Sequence, residues 1–237
     1  MNDPVTGTLY GVGLGPGDPE LMTMKAHRLI SGAKVVAYPT LAGKDSFAKS
    51  IAAAALPGDV VEIVMDIPMT VDRAPAQAAY DAAAARIADV LAAGDDVVCL
   101  CEGDPFFYGS FMYLFARLNP RFPVHVVPGV TSITTCAAAA GLPLAARNER
   151  LTVLPGPLPP DELRTRIKGA ESVVIMKVGR HLPKIRAVID GLGYLAQAIY
   201  VERASLPDQR VMPLAEAPDD APYFSMILLT KGADPWL

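Results

Sequence analysis

Apolar runs of strand length alternate with longer alanine- and leucine-rich stretches along most of the chain. Residues 8–14 predict a first strand, followed by a Gly/Pro loop and a helix over about 19–31. Asp18 suits the cap of that helix, Pro19 its first position and Gly32 its end. Residues 34–38 and 60–64 read as strands around a short helix at 46–55, and Asp72 caps a helix running to Gly94. A strand at 96–101, a helix at 110–118 and a strand at 124–127 continue the pattern. Such alternation is the signature of an α/β domain with a mostly parallel sheet.

After Pro128 the pattern changes character. A helix at 132–140 and a strand at 151–154 lead into residues 155–160, too proline-dense for either element and read as a loop. A strand at 172–177, a helix at 182–191 and strands at 197–202 and 223–230 follow. Late strands without full helices between them predict hairpins and a mixed second sheet. The expected organisation is therefore an N-terminal α/β domain over 1–125 and a C-terminal α/β domain over 126–237.

Composition narrows the class. Of 237 residues, 51% are hydrophobic and 19% charged, which fits a compact soluble chain rather than a disordered one. No apolar run approaches the ~18 residues a spanning helix needs. The opening Met1-Asn2-Asp3-Pro4 lacks the basic and apolar regions of a signal peptide, so a cytoplasmic protein without a membrane partner is expected. A net charge of -4 argues against a general nucleic-acid binder, while leaving room for a local basic pocket. Three cysteines make no disulfide framework; Cys99 and Cys101, two apart in a strand, share a face and pack as small apolar groups. His27, His125 and His181 form no metal spacing, and no metal is expected.

Three stretches carry candidate chemistry. "GVGLGPGDP" (11–19) places glycines between a strand and a helix, but it lacks the dinucleotide spacing. The second strand closes on Val36-Ala37-Tyr38-Pro39, where a ribose-binding acid would be required. "CEGDPFFYGS" (101–110) repeats the Gly-Asp-Pro triplet after another strand. Here Gly109 sits inside any helix begun at Pro105, so a loop is expected at the carboxyl end of the strand, where open α/β sheets place ligands. "VVPGVTSITTCAAAAGLPL" (126–144) reads as strand, turn and a helix opened by Thr131 and Ser132, whose hydroxyls and free N–H groups suit either capping or a ligand. Lys177, Arg180, His181, Lys184 and Arg186 form a basic cluster at a strand-to-helix turn, a pattern shared by solvated faces and pockets.

Taken in order and with their spacing, these stretches resemble the tetrapyrrole methylase family over essentially the whole chain. Within it, residues 102–114 look most like the branch that methylates C20 of precorrin-2. The resemblance implies two α/β domains with S-adenosylmethionine bound in a cleft between them, a homodimer and a tetrapyrrole substrate. Carried over position by position, it puts cofactor contacts at Pro16, Glu102, Gly103, Asp104, Phe107, Thr131 and Ser132, with later ones at Lys177, Val178 and Met212. The uroporphyrinogen-methylating branch has glycine where this chain has Glu102, so a backbone contact carries over there and a side-chain role does not. Glu102, Tyr108 and His181 are candidates for taking the proton that C20 must lose. Arg147, Arg150, Lys177, Arg180 and Arg203 are candidates for the substrate's carboxylates. The competing readings are the same methylation on a cobalt-bearing substrate, a methylase of RNA or of a modified protein side chain, and a non-catalytic binding module.

Overall fold

The computed structural model describes residues 6–41, 44–68 and 72–231; the opening tetrapeptide lies outside them. The chain divides into two compact units, 1–131 and 132–237. The division falls after the strand at 124–127 rather than inside it, because that strand pairs along its length with the first strand of the chain.

The first unit contains β1 (Leu9–Gly13), α1 (Met24–Ser31), β2 (Val35–Thr40), α2 (Phe47–Ala52), β3 (Val61–Asp66), α3 (Ala74–Ala92), β4 (Val97–Cys101), α4 (Phe111–Leu118) and β5 (Val124–Val127). Its sheet runs β3-β2-β4-β1-β5 and every pairing is parallel. Alternation in β4 explains how both faces are covered. Val97, Cys99 and Cys101 pack under α3 and α4 with Ile87, Leu91, Leu114 and Leu118. Val98 and Leu100 face α1 and α2 with Ile30, Ala48 and Ile51. Each fully buried aliphatic side chain contributes about 1.5–3 kcal/mol by leaving water. The shared face of Cys99 and Cys101 is thus confirmed, and both thiols are free and buried.

The expected helix over 19–31 is broken in two. Asp18 accepts from the Glu20 N–H at 2.9 Å and caps only a single 3-10 turn, Pro19–Leu21. Met22 then adopts an extended backbone, and Thr23 provides a second cap by accepting from the Ala26 N–H at 3.1 Å. Two competing side-chain acceptors within one turn end the first helix and start the next.

The second unit contains α5 (Ser132–Ala140), β6 (Leu151–Pro155), α6 (Pro160–Lys168), β7 (Ser172–Met176), α7 (Leu182–Gly191), β8 (Ala198–Glu202), β9 (Arg210–Pro213) and β10 (Ser225–Thr230). Its sheet runs β6-β7-β10-β8-β9, with β6 and β7 parallel and the remaining pairs antiparallel, the mixed sheet expected. One face packs on α5 through Val174, Val201 and Leu228. The other packs on α6 and α7 through Val173, Ile175, Tyr200 and Ile227. The sequence reading omitted α6 and β9. Pro160 ends the expected loop but also stands at the first position of α6, with Asp161 and Glu162 in the first turn. β9 is an exposed edge strand of four residues, too short to show a period. Among the described residues no helix is long and apolar enough to cross a membrane.

Candidate active site

Strands β4, β1 and β5 lie side by side and parallel, so the loops that leave their carboxyl ends converge at one edge of the first sheet. The ladder continues past the strands: the Leu14 N–H donates to the Cys101 carbonyl at 2.9 Å. Gly15 and Gly103 then exchange two backbone hydrogen bonds, 3.3 and 2.8 Å, as an antiparallel bridge. Both glycines hold left-handed backbone, φ 83° and 63°. The loops can close this tightly because the contacts are glycine on glycine. A Cβ on Gly13 would lie 2.6 Å from the Gly129 nitrogen and 2.7 Å from the Gly103 carbonyl oxygen. A Cβ on Gly129 would overlap that same oxygen and stand 2.9 Å from the Gly13 Cα.

Asp104 braces this floor. Its Oδ1 accepts from the Phe106 N–H at 2.9 Å, and its Oδ2 accepts from the Gly129 N–H at 3.0 Å, tying the β4 loop to the β5 loop. The two Gly-Asp-Pro triplets therefore share a local motif, an aspartate accepting from the N–H two residues on. Only the first leads into a helical turn. After the second, Gly109 packs so closely that a Cβ would stand 2.6 Å from the Pro105 carbonyl oxygen, and the chain loops as expected. That loop presents Phe106, Phe107 and Tyr108 to solvent, with Phe106 edge-on to Phe115 at 5.0 Å and Tyr108 in left-handed backbone at φ 56°. Glu102 is half-buried, and burial pushes its carboxyl up. Pro16 is half-buried in the β1 loop and Thr131 in the β5 loop. Pro16, Glu102, Gly103, Asp104, Phe107 and Thr131 thus gather on the three loops at the carboxyl edge. In "GVGLGPGDP", Gly11 serves packing instead, since a Cβ there would enter the Phe111 ring.

The remaining candidates belong to the second unit. Ser132 opens α5. Lys177, Val178 and Gly179 form the turn after β7, with Lys177 and Gly179 in left-handed backbone, φ 55° and 38°, and Val178 fully buried. Arg203, the residue after β8, is left-handed too, φ 51°. Met212 lies on β9 opposite Tyr200 and packs against the α6–α7 core. His181 is held below its ordinary value first by burial, then by the Lys184 and Arg180 charges, which favours the neutral imidazole.

The basic cluster separates into different jobs. Lys184 donates to the Gly156 and Leu158 carbonyls at 2.7 and 2.6 Å, and Arg186 pairs with Asp219 at 2.8 Å; both tie loops down. Arg180 stays exposed at the end of the turn. Arg147 is exposed and left-handed, φ 46°, in the loop before β6. Arg150 immediately precedes β6, at the opposite edge of the second sheet from Lys177 and Arg203, and forks onto Glu171 at 3.0 and 2.8 Å. That pairing holds the Glu171 carboxyl at about 2, through the Arg150 side chain first and the Arg150 N–H second. A lowered folded-state value stabilises above the ordinary 4.5 and is lost as pH falls toward about 2. Glu171→Gln is therefore expected to flatten the acid limb of the stability profile in that window. Urea midpoints at about pH 5 and about pH 3 read this, and equal losses in variant and wild type would refute it.

Sequence reasoning credited the β5 turn to its two hydroxyls and missed Gly13 and Gly129. The available signal was a Pro-Gly step directly after a strand.

Residues 8–218 match the model of the tetrapyrrole (corrin/porphyrin) methylases. The chain is 45% identical over 99% of both sequences to a Sinorhizobium protein named precorrin-2 C(20)-methyltransferase. It is 32% identical, over 96% of its length and 98% of the other, to the cobalt-precorrin-2 C(20)-methyltransferase of Salmonella typhimurium. Among solved structures it resembles the uroporphyrin-III C-methyl transferase of Thermus thermophilus complexed with S-adenosyl homocysteine. That match has a TM-score of 0.67 and 29% identity, covering 94% of this chain and 97% of that one.

Proposed function

We propose, for a chain that belongs to the tetrapyrrole (corrin/porphyrin) methylase family, transfer of the S-adenosylmethionine methyl group to C20 of precorrin-2, as in cobalamin biosynthesis. The observation that carries this reading is the end-to-end 45% identity to the Sinorhizobium protein of that name. The 32% relative named for the cobalt-bearing substrate keeps that form as the second reading. The same reading has the enzyme act as a cytoplasmic homodimer.

The residues present fit the cofactor. Gly103 is left-handed, and a Cβ there would meet nothing within 4 Å, so its backbone faces open space a ligand can fill. On the first unit Pro16, Glu102, Gly103, Asp104, Phe107 and Thr131 are the residues that would hold it; Ser132, Lys177, Val178 and Met212 are further contacts implied by the family resemblance. When bound, the sulfonium supplies a methyl group already activated toward displacement. The chain then has to orient the macrocycle carbon toward that methyl at near-attack distance and exclude competing poses. Lys177, Arg180 and Arg203 offer positive charge to the substrate's carboxylates, Arg203 from a single ion pair with Asp208, whereas Arg150 forks onto Glu171 with two guanidinium nitrogens at the opposite end of the sheet. Glu102, whose carboxyl is pushed up by burial, His181, whose imidazole is held down by burial and by the Lys184 and Arg180 charges, and Tyr108 are the candidates for taking the C20 proton.

Incubating the purified chain and S-adenosylmethionine with precorrin-2, and separately with its cobalt form, tests this reading. One added methyl by mass spectrometry, located at C20 by NMR, is expected on the metal-free substrate. Methylation elsewhere, or none on either substrate, would overturn it.

A further inference from the structure

A buried polar network lies behind the two basic turns of the second unit. Glu202, the last residue of β8, is only 4% exposed. Its Oε2 accepts from the Tyr200 hydroxyl at 2.7 Å and its Oε1 from Arg210 at 3.0 Å. Tyr200 is fully buried. Ser225, the first residue of β10, sits opposite Glu202 in the ladder. Its hydroxyl donates to the Pro222 carbonyl at 2.7 Å and accepts from the Gly179 N–H at 3.4 Å.

The topology makes this placement informative. β7 and β8 flank β10 and both run antiparallel to it, with Ile227 opposite Ile175 on one side and Tyr200 on the other. The turns that follow β7 and β8 therefore emerge on either side of Ser225. Each carries a cation in left-handed backbone, Lys177 at φ 55° and Arg203 at φ 51°. Side chains with a Cβ resist that region, so the surrounding structure must impose it. Gly179 is anchored to the Ser225 hydroxyl, Arg203 follows Glu202 directly, and the Arg203 N–H donates to the Phe224 carbonyl at 2.8 Å. A buried carboxylate is a poor device for stability alone, because desolvation offsets its pairing and an apolar replacement often does as well.

We propose that Tyr200, Glu202 and Ser225 are positioning residues, which fix the Lys177 and Arg203 turns so that both cations meet a polycarboxylate substrate. The proposal rests on the tetrapyrrole reading for the identity of that substrate. Arg203 rests against Asp208 at 2.6 Å, an exposed pairing that a substrate carboxylate can replace.

Tyr200→Phe and Ser225→Ala remove single hydroxyls, and Ser225→Thr keeps one. Expected for the first two is a KM for precorrin-2 raised about tenfold with kcat within about twofold, a Tm lowered by a few degrees in Tyr200→Phe because the buried Glu202 loses a donor, and recovery of KM in Ser225→Thr. Amides in peptides spanning 176–181 and 203–206 should also exchange with deuterium faster in Tyr200→Phe and Ser225→Ala. Wild-type KM in both variants, or a kcat reduced as much as KM is raised and without rescue in Ser225→Thr, would overturn the proposal. If the wild-type chain turns over neither macrocycle, the tetrapyrrole reading fails by itself. The exchange measurement then decides the positioning role: faster exchange confined to the two turns supports it, and wild-type exchange there, or acceleration spread over the whole unit, overturns it.

Discussion

Gly129→Ala is expected to destabilise the first unit by about 3 kcal/mol and to abolish S-adenosylmethionine binding at concentrations that saturate the wild type. The added methyl would overlap the Gly103 carbonyl oxygen and press on the Gly13 Cα at 2.9 Å. Neither neighbour can yield cheaply, since both are backbone atoms at the ends of paired strands. Overpacking against movable side chains costs about 1–3 kcal/mol, so a clash with fixed main chain belongs at or above the top of that range. Gly191→Ala is the control. Nothing lies within 4 Å of its Cβ position, and a helical alanine there should leave stability equal or slightly raised. Urea denaturation and calorimetry with the cofactor read both effects. A Gly129→Ala protein with wild-type midpoint and affinity would show that the three loops do not meet as described.

The second large effect is expected at Asp104. Asp104→Ala strips the acceptor from two N–H groups, those of Phe106 and Gly129. Bonds to a charged acceptor are worth about 1.5–3 kcal/mol each, and partial exposure favours the lower end. A stability loss of about 2 kcal/mol with at least a tenfold loss of cofactor affinity is the expected outcome. Asp104→Asn keeps one oxygen but turns an NH2 toward one of the two donors, and should fall between. The pair of measurements separates two roles. A carboxylate that only contacts the cofactor would lower affinity at unchanged stability, whereas one that braces the loops lowers both. Unchanged affinity in Asp104→Ala would exclude the β4 loop from the cofactor site.

Much of this was legible in one dimension. The period of apolar residues placed the strands of the first sheet, and the misplaced Gly109 separated the second Gly-Asp-Pro from an ordinary helix cap. The glycine floor was not legible, because Gly13, Gly103 and Gly129 become neighbours only through the strand order β4-β1-β5. For the same reason Arg150 reads in sequence as a candidate for the substrate's carboxylates: Glu171, its partner, immediately precedes the next strand of the sheet. The Tyr200–Glu202–Ser225 network joins two strands through register, and a buried glutamate looks like any other on paper. Helix α6 was hidden by its own first residue, since a proline that ends a loop and one that starts a helix are the same letter.

The position of β1 also sets the order in which the first unit can assemble. Leu9 pairs with Val97 and Val124 and with no residue between, so β1 has both edges open while β2 and β3, neighbours in sequence, can already zip together. During synthesis the first strand therefore waits, an apolar ribbon with unpaired amides, for partners that arrive much later. Such long-range pairing slows folding. The three loops cannot meet until β5 has docked, so ligand competence is acquired at the end of that unit's folding.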